Sequence, residues 1–334
     1  MSNILVTGGL GFIGSNFIHS RLSGFPDTNI LNLDSMSYGA NPRSLDDLNT
    51  NSRYQFEKCN VTDAKKLSEV SSQIDVIVNF AAETHVDRSI SNPEAFLESN
   101  VIGTHRLLEF ARKRDVRKFV QISTDEVYGS APSTMTFTEY SPLNPSSPYS
   151  ASKAAADVFV MSYYSTYGLP AVILRCTNNF GPYQFPEKFI PKTIISCLLD
   201  REIPLYGDGS QVRDWIYVTD FCDAISGVVE RGSIGAIYNV SAGNELPNVE
   251  VAKKILRTLK KPFEMIRFVE DRPGHDRRYS LNSELIREKL QWRPNHQFDE
   301  GLNATVNWYV SNENWWKPLL SDRILSATPW KEKW

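Results

Sequence analysis

Short apolar runs alternate with longer amphipathic stretches along the first half of the chain. The apolar runs predict strands at residues 3–7, 29–34, 54–58, 76–80, 118–122 and 171–175. The stretches between them predict helices at residues 13–22, 64–70, 93–114 and 149–167. Strands that are apolar throughout and alternate with helices are typical of a parallel sheet covered on both faces. The pattern therefore predicts an α/β fold built on a doubly wound parallel sheet of the Rossmann type.

The rhythm changes after residue 176, where glycine, proline and asparagine separate shorter elements. Helical periodicity returns at residues 218–230, 249–259 and 299–310. We interpret residues 1–176 as the first domain and residues 177–334 as a smaller α+β lobe, some of whose strands and helices cross back. A cleft is expected between them. The tail from Asn314 contains four of the seven tryptophans, and we interpret it as packing material.

Composition narrows the classes of function. The chain has 334 residues and a net charge of −3, so neither nucleic acid nor a membrane surface is an expected partner. Its apolar runs are too short to span a bilayer, and a strand pattern that begins at Asn3 leaves no room for a signal peptide. The four cysteines lie far apart, which favours reduced thiols in a cytoplasmic protein without a bound metal.

Three glycines follow the first predicted strand and open the first predicted helix. The spacing of Gly8, Gly11 and Gly14 allows a tight turn, close approach to a pyrophosphate, and a free helix N-terminus for the phosphates. A purely structural glycine turn is the alternative. Asp34 ends the second predicted strand, where a carboxylate can accept from an adenosine ribose and would repel a 2′-phosphate. The pattern therefore predicts NAD, rather than NADP, as the cofactor.

Tyr149 and Lys153 stand four residues apart at the start of a predicted helix, so both lie on one face. A nearby ammonium, the helix N-terminus and an oxidised nicotinamide would each lower the pKa of a phenol that must act as a base. The four-residue spacing alone is weak evidence for a catalytic pair, since Tyr54 and Lys58 have the same spacing. That pair falls in a predicted strand, and we interpret it as structural.

Thr124, Asp125 and Glu126 follow the fifth predicted strand, at the end of a parallel sheet where ligands bind. Two neighbouring carboxyls in a desolvated pocket repel, so one can stay protonated as an acid while the other is a base. Neighbours in an extended strand point to opposite faces, so a shared site requires the chain to turn after Ser123. The alternative is a solvated acidic loop.

Together these segments resemble the extended short-chain dehydrogenase/reductase family, and within it the dTDP-glucose 4,6-dehydratases. The Thr-Asp-Glu triplet is the specific part, because sugar epimerases of the family lack the Asp-Glu pair. The resemblance covers most of the chain and is carried by residues 7–16, 81–89, 123–129, 149–153, 178–191 and 271–279.

The resemblance implies conversion of dTDP-glucose to dTDP-4-keto-6-deoxyglucose in three steps. Tyr149 takes the sugar 4-OH proton as C4 is oxidised by NAD, while Lys153 holds the ribose and Thr124 orients the 4-OH. Glu126 then removes the C5 proton as Asp125 protonates the departing 6-OH. Finally, C6 is reduced with the same bound cofactor. UDP-glucose as the substrate, a nucleotide-sugar 4-epimerase and a non-catalytic NAD-sensing scaffold are the alternatives.

The resemblance also implies the binding residues and the assembly. Homodimers of the family form through two helices, which here are residues 93–114 and 149–167. The implied NAD contacts are Gly8, Gly11, Phe12, Ile13, Gly14, Asp34, Ser35, Ser37, Asn60, Val61, Ala81, Ala82, Tyr149, Lys153 and Asn179. The implied substrate contacts, whose basic members suit a diphosphate, are Thr84, Thr124, Asn178, Lys188, Phe189, Tyr206, Arg213, Asn248, Arg272 and His275.

Overall fold

A seven-stranded parallel sheet forms the centre of the computed structural model, which describes residues 2–334. Its strand order is β10-β6-β5-β4-β1-β2-β3. The predicted doubly wound α/β fold is confirmed, and all six predicted strands are present. The strands are β1 Ser2–Thr7, β2 Thr28–Asp34, β3 Tyr54–Lys58, β4 Val76–Asn79, β5 Lys118–Thr124, β6 Ala171–Cys176, β7 Asn178–Phe180, β8 Ile203–Tyr206, β9 Val212–Tyr217, β10 Ile237–Val240, β11 Glu245–Pro247 and β12 Ile266–Val269.

Helices cover both faces of this sheet, which is why every residue of β4, β5 and β6 is buried. Helices α1 and α8 pack together on one face, and α5 and α6 pack together on the other. The α-helices are α1 Phe12–Gly24, α2 Ala64–Glu69, α3 Val86–Ser91, α4 Pro93–Phe96, α5 Gly103–Arg114, α6 Pro148–Tyr167, α7 Phe189–Leu198, α8 Val218–Arg231, α9 Asn248–Thr258, α10 Glu284–Leu290, α11 Phe298–Ser311 and α12 Glu313–Trp316.

The predicted helix over residues 93–114 is helical throughout, but it is not one α-helix. A π-helical turn over Leu97–Ile102 separates α4 from α5. Asn100 lies in this wide turn and is buried. Its side-chain amide donates to Ser152 Oγ at 2.8 Å and to the Glu83 carbonyl at 3.0 Å, and its oxygen accepts the Glu83 N–H at 2.8 Å. The turn therefore fastens the loop after β4 to helix α6.

A second layer of elements lies beyond residue 176. Strands β11, β9 and β7 form a three-stranded sheet, and β12 pairs with β8. Ile194 of α7, Val251 of α9 and Val306 of α11 are buried in one cluster with Trp215 of β9. Strand β10 and helix α8 instead return to the central sheet, a crossing that the predicted division allowed for. The boundary at residue 176 stays a prediction.

The tryptophans of the tail pack against other parts of the chain. Trp315 and Trp316 are buried in the cluster of the second layer. The ring of Trp330 meets the ring of Tyr206 edge-on at 4.9 Å, and Trp334 meets Tyr38 at 5.6 Å. Within residues 2–334, no helix is both long enough and apolar enough to cross a lipid bilayer.

Candidate active site

A cleft opens at the carboxyl ends of β1, β2, β4, β5 and β6, where an open parallel sheet binds its ligands. All fifteen predicted cofactor residues line this cleft. The five predicted catalytic residues line it as well, and so do Thr84, Asn178 and Lys188 of the predicted substrate contacts. The structure therefore brings together residues that the sequence places in seven separate segments.

The glycine turn packs too closely for side chains. Gly8 has φ +70°, and a Cβ there would lie 2.7 Å from the Ala81 nitrogen. A Cβ on Gly14 would lie 2.5 Å from the Gly8 carbonyl oxygen. Gly11 is the N-cap of α1 and provides no side-chain cap for the first helical N–H groups, and Phe12, Ile13 and Gly14 of this first turn line the cleft. These contacts fit a cradle for a pyrophosphate.

Gly14→Ala should remove bound NAD and lower the melting temperature. The added methyl would press on backbone atoms of Gly8 and Gly9, at 2.5 and 2.8 Å, which cannot turn aside as a side chain can. Overpacking of this kind costs about 1–3 kcal/mol. The NAD released per denatured protein molecule and the melting temperature are the measurements.

Gly24→Ala is the matched control, because Gly24 ends the same helix and has nothing within 4 Å of an added Cβ. It should retain NAD as the unchanged protein does. Full NAD occupancy in Gly14→Ala would show that the turn does not approach the cofactor.

Asp34 ends β2 beside this turn, as predicted, and its carboxylate accepts hydrogen bonds from two backbone N–H groups. Oδ2 accepts the Leu10 N–H at 3.0 Å, and Oδ1 accepts the Met36 N–H at 2.8 Å. Burial raises the pKa of Asp34, and these two backbone donors lower it. The side chain therefore holds the glycine turn against the loop after β2.

Tyr149 and Lys153 lie in the first turns of α6, which begins after a capping box formed by Ser147 and Ser150. The Lys153 ammonium is buried and donates to the Ile122 carbonyl at 2.6 Å. Burial lowers the pKa of Lys153 and raises the pKa of Tyr149, and the carboxylate of Glu126 raises the latter further. The chain by itself therefore does not supply the lowered phenol pKa that the sequence predicted.

The second pair with this spacing, Tyr54 and Lys58, lies in β3. The Tyr54 hydroxyl accepts a hydrogen bond from the Asn32 side chain at 3.0 Å. Neither residue lines the cleft that holds Tyr149.

The two acidic side chains reach the cleft because the chain turns directly after β5. The strand ends at Thr124, one residue later than the sequence required, and a 3₁₀ turn over Asp125–Tyr128 follows. The Thr124 hydroxyl accepts the Glu126 N–H at 3.3 Å and donates to the Asp125 carboxylate at 3.0 Å. Asp125 is only 3% exposed, so the alternative of a solvated acidic loop is wrong.

The neighbours of the two carboxyls differ in charge. Burial and the nearby Glu126 charge raise the pKa of Asp125 well above its usual range, and the Thr124 hydrogen bond and the charge of Arg213 oppose that rise only in part. Burial also raises the pKa of Glu126, but the cations Arg272, Arg213 and Lys188 oppose that rise. The surroundings therefore favour Asp125 as the protonated acid and Glu126 as the group that ionises more readily.

The remaining predicted substrate contacts do not line the cleft itself. Tyr206 and Arg272 both donate to the buried carboxylate of Asp87, each at 2.8 Å. Arg213 donates to the Asp276 carbonyl at 2.9 Å, and His275 lies 2.6 Å from a carboxylate oxygen of Asp271. Asn248 opens α9 and Phe189 opens α7, where it packs on Trp215. Contact of these six residues with a substrate stays a prediction.

Sequence reasoning missed several polar residues of the site. Tyr38 and Glu187 line the cleft, and the Tyr38 hydroxyl donates to the Glu187 carboxylate at 2.6 Å. Tyr279 lies beside Glu126, with 3.3 Å between its hydroxyl and Oε2. Asp87, Glu187 and Tyr279 stand in segments that carry the family resemblance, and that was the available signal.

Comparison with known proteins gives the same assignment over nearly the whole chain. The family model described as GDP-mannose 4,6 dehydratase matches residues 5–305. A dTDP-glucose 4,6-dehydratase of Xanthomonas campestris is 43% identical in an alignment of 340 positions that covers 96% of each chain. The chain belongs to the dTDP-glucose 4,6-dehydratase family. The short-chain dehydrogenase/reductase resemblance drawn from the motifs is thereby confirmed.

Two solved members of the dTDP-glucose 4,6-dehydratase family share the architecture. The enzyme of Bacillus anthracis, solved with NAD, is 46% identical with a TM-score of 0.90, and the match covers 96% of this chain and 100% of that one. The enzyme of Streptomyces venezuelae, solved with NAD and TYD, is 44% identical with a TM-score of 0.93 and coverages of 95% and 100%.

Proposed function

We propose that the protein is an NAD-dependent dTDP-glucose 4,6-dehydratase that forms dTDP-4-keto-6-deoxyglucose. The observation that supports this most strongly is the meeting of Tyr149, Asp125 and Glu126 in one cleft. A simple alcohol dehydrogenase needs the phenol and its lysine but neither acid. Two relatives with this name align with the protein over 96% and 98% of its length, and over the same shares of their own lengths.

The chain's own residues fit NAD. Gly8 and Gly14 leave no space for side chains where a pyrophosphate would approach, and Asp34 lies at the end of β2 where a ribose hydroxyl binds. The side-chain oxygens of Ser123, Thr177 and Asn179 are buried beside the cleft without a hydrogen-bond partner among the described residues. When bound, NAD accepts a hydride from C4 of the sugar and later returns it to C6.

Tyr149 is the group that removes the proton from the 4-OH. Because burial and Glu126 raise the pKa of Tyr149, ionisation of this phenol depends on positive charge nearby. Lys153 and the bound nicotinamide are the sources of that charge, and Thr124 shares the pocket with the phenol. Proton removal is therefore coupled to the presence of the oxidised cofactor.

Glu126 and Asp125 carry out the elimination. Once C4 is a ketone, the C5 proton is acidic enough for a carboxylate base, and Glu126 is the more readily ionised of the two. Asp125 holds a proton that it gives to the 6-hydroxyl as this leaves as water. A plain epimerase has no use for this pair, so the geometry disfavours that alternative, and a scaffold needs neither acid.

The nucleotide end of the substrate is proposed to lie against the residues around Arg213 and Arg272. Both guanidinium groups are largely buried, and an arginine suits the oxygens of a diphosphate. Thymine differs from uracil by one methyl group, which is worth roughly 1–3 kcal/mol in an apolar pocket. UDP-glucose is therefore the alternative substrate that an assay must include.

The deciding experiment is incubation of the purified protein with dTDP-glucose or UDP-glucose, without added NAD. We expect the dTDP sugar to be converted faster, to a 4-keto-6-deoxy product detected by its absorbance in alkali. Conversion should need no free NAD, because the cofactor is regenerated in each turnover. Recovery of a C4 epimer, or of unchanged sugar, would contradict the proposal.

We also propose a cytoplasmic homodimer formed through residues 93–114 and 149–167. All four cysteines are free thiols, which supports the location. Leu97, Val158 and Tyr167 lie on the two helical segments and are 56%, 59% and 53% exposed, respectively, which supports the contact surface. Sedimentation of the protein as a monomer, with no change on Val158→Glu, would contradict the dimer.

A further inference from the structure

A buried guanidinium of the central sheet contacts two of the elements that carry the catalytic side chains. Arg175 lies in β6, where it pairs with Ser123 of β5, and its side chain is buried. Its Nε donates to the Asp157 carboxylate at 2.8 Å, and its Nη1 donates to the Tyr128 hydroxyl at 2.7 Å. Asp157 belongs to helix α6, and Tyr128 belongs to the 3₁₀ turn after β5. Arg175 therefore links this helix to this turn.

The helix and the turn serve different steps of the proposed reaction. Asp157 follows Lys153 by four residues, so the two lie on one face of α6. Tyr128 ends the turn whose first two residues are the proposed acid and base. Oxidation of C4 uses side chains of α6, and elimination then uses the turn while the same sugar stays bound. The spacing between helix and turn therefore decides whether the acid and the base reach their atoms.

Tyr128 is fixed from three sides, so its position can set the end of the turn. Its ring stacks on the ring of Phe137, with 5.2 Å between the centres and 20° between the planes. Its hydroxyl donates to Oδ1 of Asn239, a buried residue of β10, at 2.9 Å. The same hydroxyl accepts from Arg175. Movement of the turn relative to the sheet would break at least one of these contacts.

The ion pair of Arg175 and Asp157 suits positioning better than stability. Their side chains are only 4% and 1% exposed, and a buried ion pair often stabilises a fold no more than apolar residues of the same size. Asp157 Oδ1 is buried without a hydrogen-bond partner among residues 2–334, so the pair is not fully satisfied. A guanidinium does offer several donors in one rigid plane, which fixes the directions of two partners at once.

We propose that Arg175 is a positioning residue for the elimination, which holds the acidic turn in a fixed place relative to helix α6. This inference rests on the proposed function. In the elimination the C5–H bond breaks and its proton passes to Glu126. The electron pair forms the C5–C6 double bond as the 6-hydroxyl leaves as water with a proton from Asp125. Arg175 exchanges no proton in this step and acts through the Tyr128 hydroxyl.

Tyr128→Phe in the NAD-loaded enzyme tests this role, because it removes the hydroxyl and keeps the ring. In a single turnover with dTDP-glucose, NADH should form at the unchanged rate. Dehydrated sugar should appear about 10- to 100-fold more slowly, since a displacement of about 1 Å can have an effect of this size. The ratio of the two rates is the measurement. A merely structural loss would reduce the amount of active enzyme and would slow both steps equally.

Arg175→Lys should give the same change in the ratio of the two rates. A lysine keeps a positive charge near Asp157, but its single ammonium lacks the planar fork that reaches two partners. The double variant of Tyr128→Phe and Arg175→Lys should be no slower in elimination than the slower single variant, because both substitutions break the same link.

Tyr238→Phe is the matched control. Tyr238 and Tyr128 are each 1% exposed, and the Tyr238 hydroxyl also has a hydrogen bond, which it accepts from the Ser233 N–H at 3.1 Å. Tyr238 lies in β10 and packs in the cluster on the other face of the sheet, with α1 and α8. Its loss of a hydroxyl should change neither step.

An unchanged elimination rate in Tyr128→Phe, or equal slowing of both steps, would overturn the positioning role. Multiplied effects in the double variant would overturn it too, and so would loss of NAD from both single variants, which would mark a structural role. A wild-type enzyme that fails to form NADH with dTDP-glucose would instead overturn the proposed function.

Discussion

Replacing Asp125 by Asn and Glu126 by Gln together should give a protein that still reduces its bound NAD with dTDP-glucose but releases little dehydrated sugar. The first step needs Tyr149 and Lys153, which the two substitutions leave in place. The elimination needs an acid and a base, and losing both lowers its rate by about 10²-fold or more. The reduced cofactor should therefore accumulate, which NADH absorbance and chromatography of the released sugar would show.

Asp46→Asn with Asp47→Asn is the matched control, because this neighbouring pair of aspartates is exposed to solvent. It should turn over at the rate of the unchanged enzyme. If the double variant of Asp125 and Glu126 formed no NADH, the division of the reaction between phenol and carboxyls would be wrong. Normal product formation by that variant would be equally decisive against it.

Tyr149→Phe should stop the reaction at the oxidation of C4, one step before the elimination at which the double variant of Asp125 and Glu126 stops. Without the phenol oxygen no group in the cleft takes the 4-OH proton, so NADH formation should fall about 10²- to 10⁴-fold. The bound NAD should remain oxidised, unlike in the variant that lacks both acids. Stopped-flow absorbance of NADH after mixing with dTDP-glucose measures the difference.

Tyr54→Phe controls for the loss of a tyrosine hydroxyl, since Tyr54 has the same four-residue spacing to a lysine but lies in β3. Its NADH formation should match that of the unchanged protein. Rapid NADH formation in Tyr149→Phe would mean that another group of the cleft removes the proton.

The local parts of the site could be predicted from sequence. The glycine turn, Asp34 and the Tyr149–Lys153 pair depend on short spacings within one strand–helix unit, and the structure places them all at one cleft. Strand β10 was not predicted, because its place beside β6 depends on a return of the chain after a whole lobe. The π turn also escaped prediction, since its apolar spacing resembles that of an α-helix.

Contacts made across long separations were the hardest to predict. Tyr279 and Glu126 belong to segments that only tertiary folding brings together, and the same holds for Tyr38 and Glu187, which are 149 positions apart. The local sequence pattern around each of these four residues does not indicate which residue it contacts. The difference in charge between the surroundings of Asp125 and Glu126 could not be predicted from the sequence either, because the cations near Glu126 come from three other segments.

The wide turn at Leu97–Ile102 makes the length of this segment matter more than its exact composition. An α-helix turns about 100° per residue. Deleting one residue from the π turn would favour ordinary α-helical spacing and would rotate the residues before the deletion relative to helix α5. Asn100 would swing away from Ser152, which neighbours Lys153, and the loop at Glu83 would lose its anchor. Apart from Asn100, engineered variants should therefore exchange side chains along this stretch more readily than they gain or lose a residue.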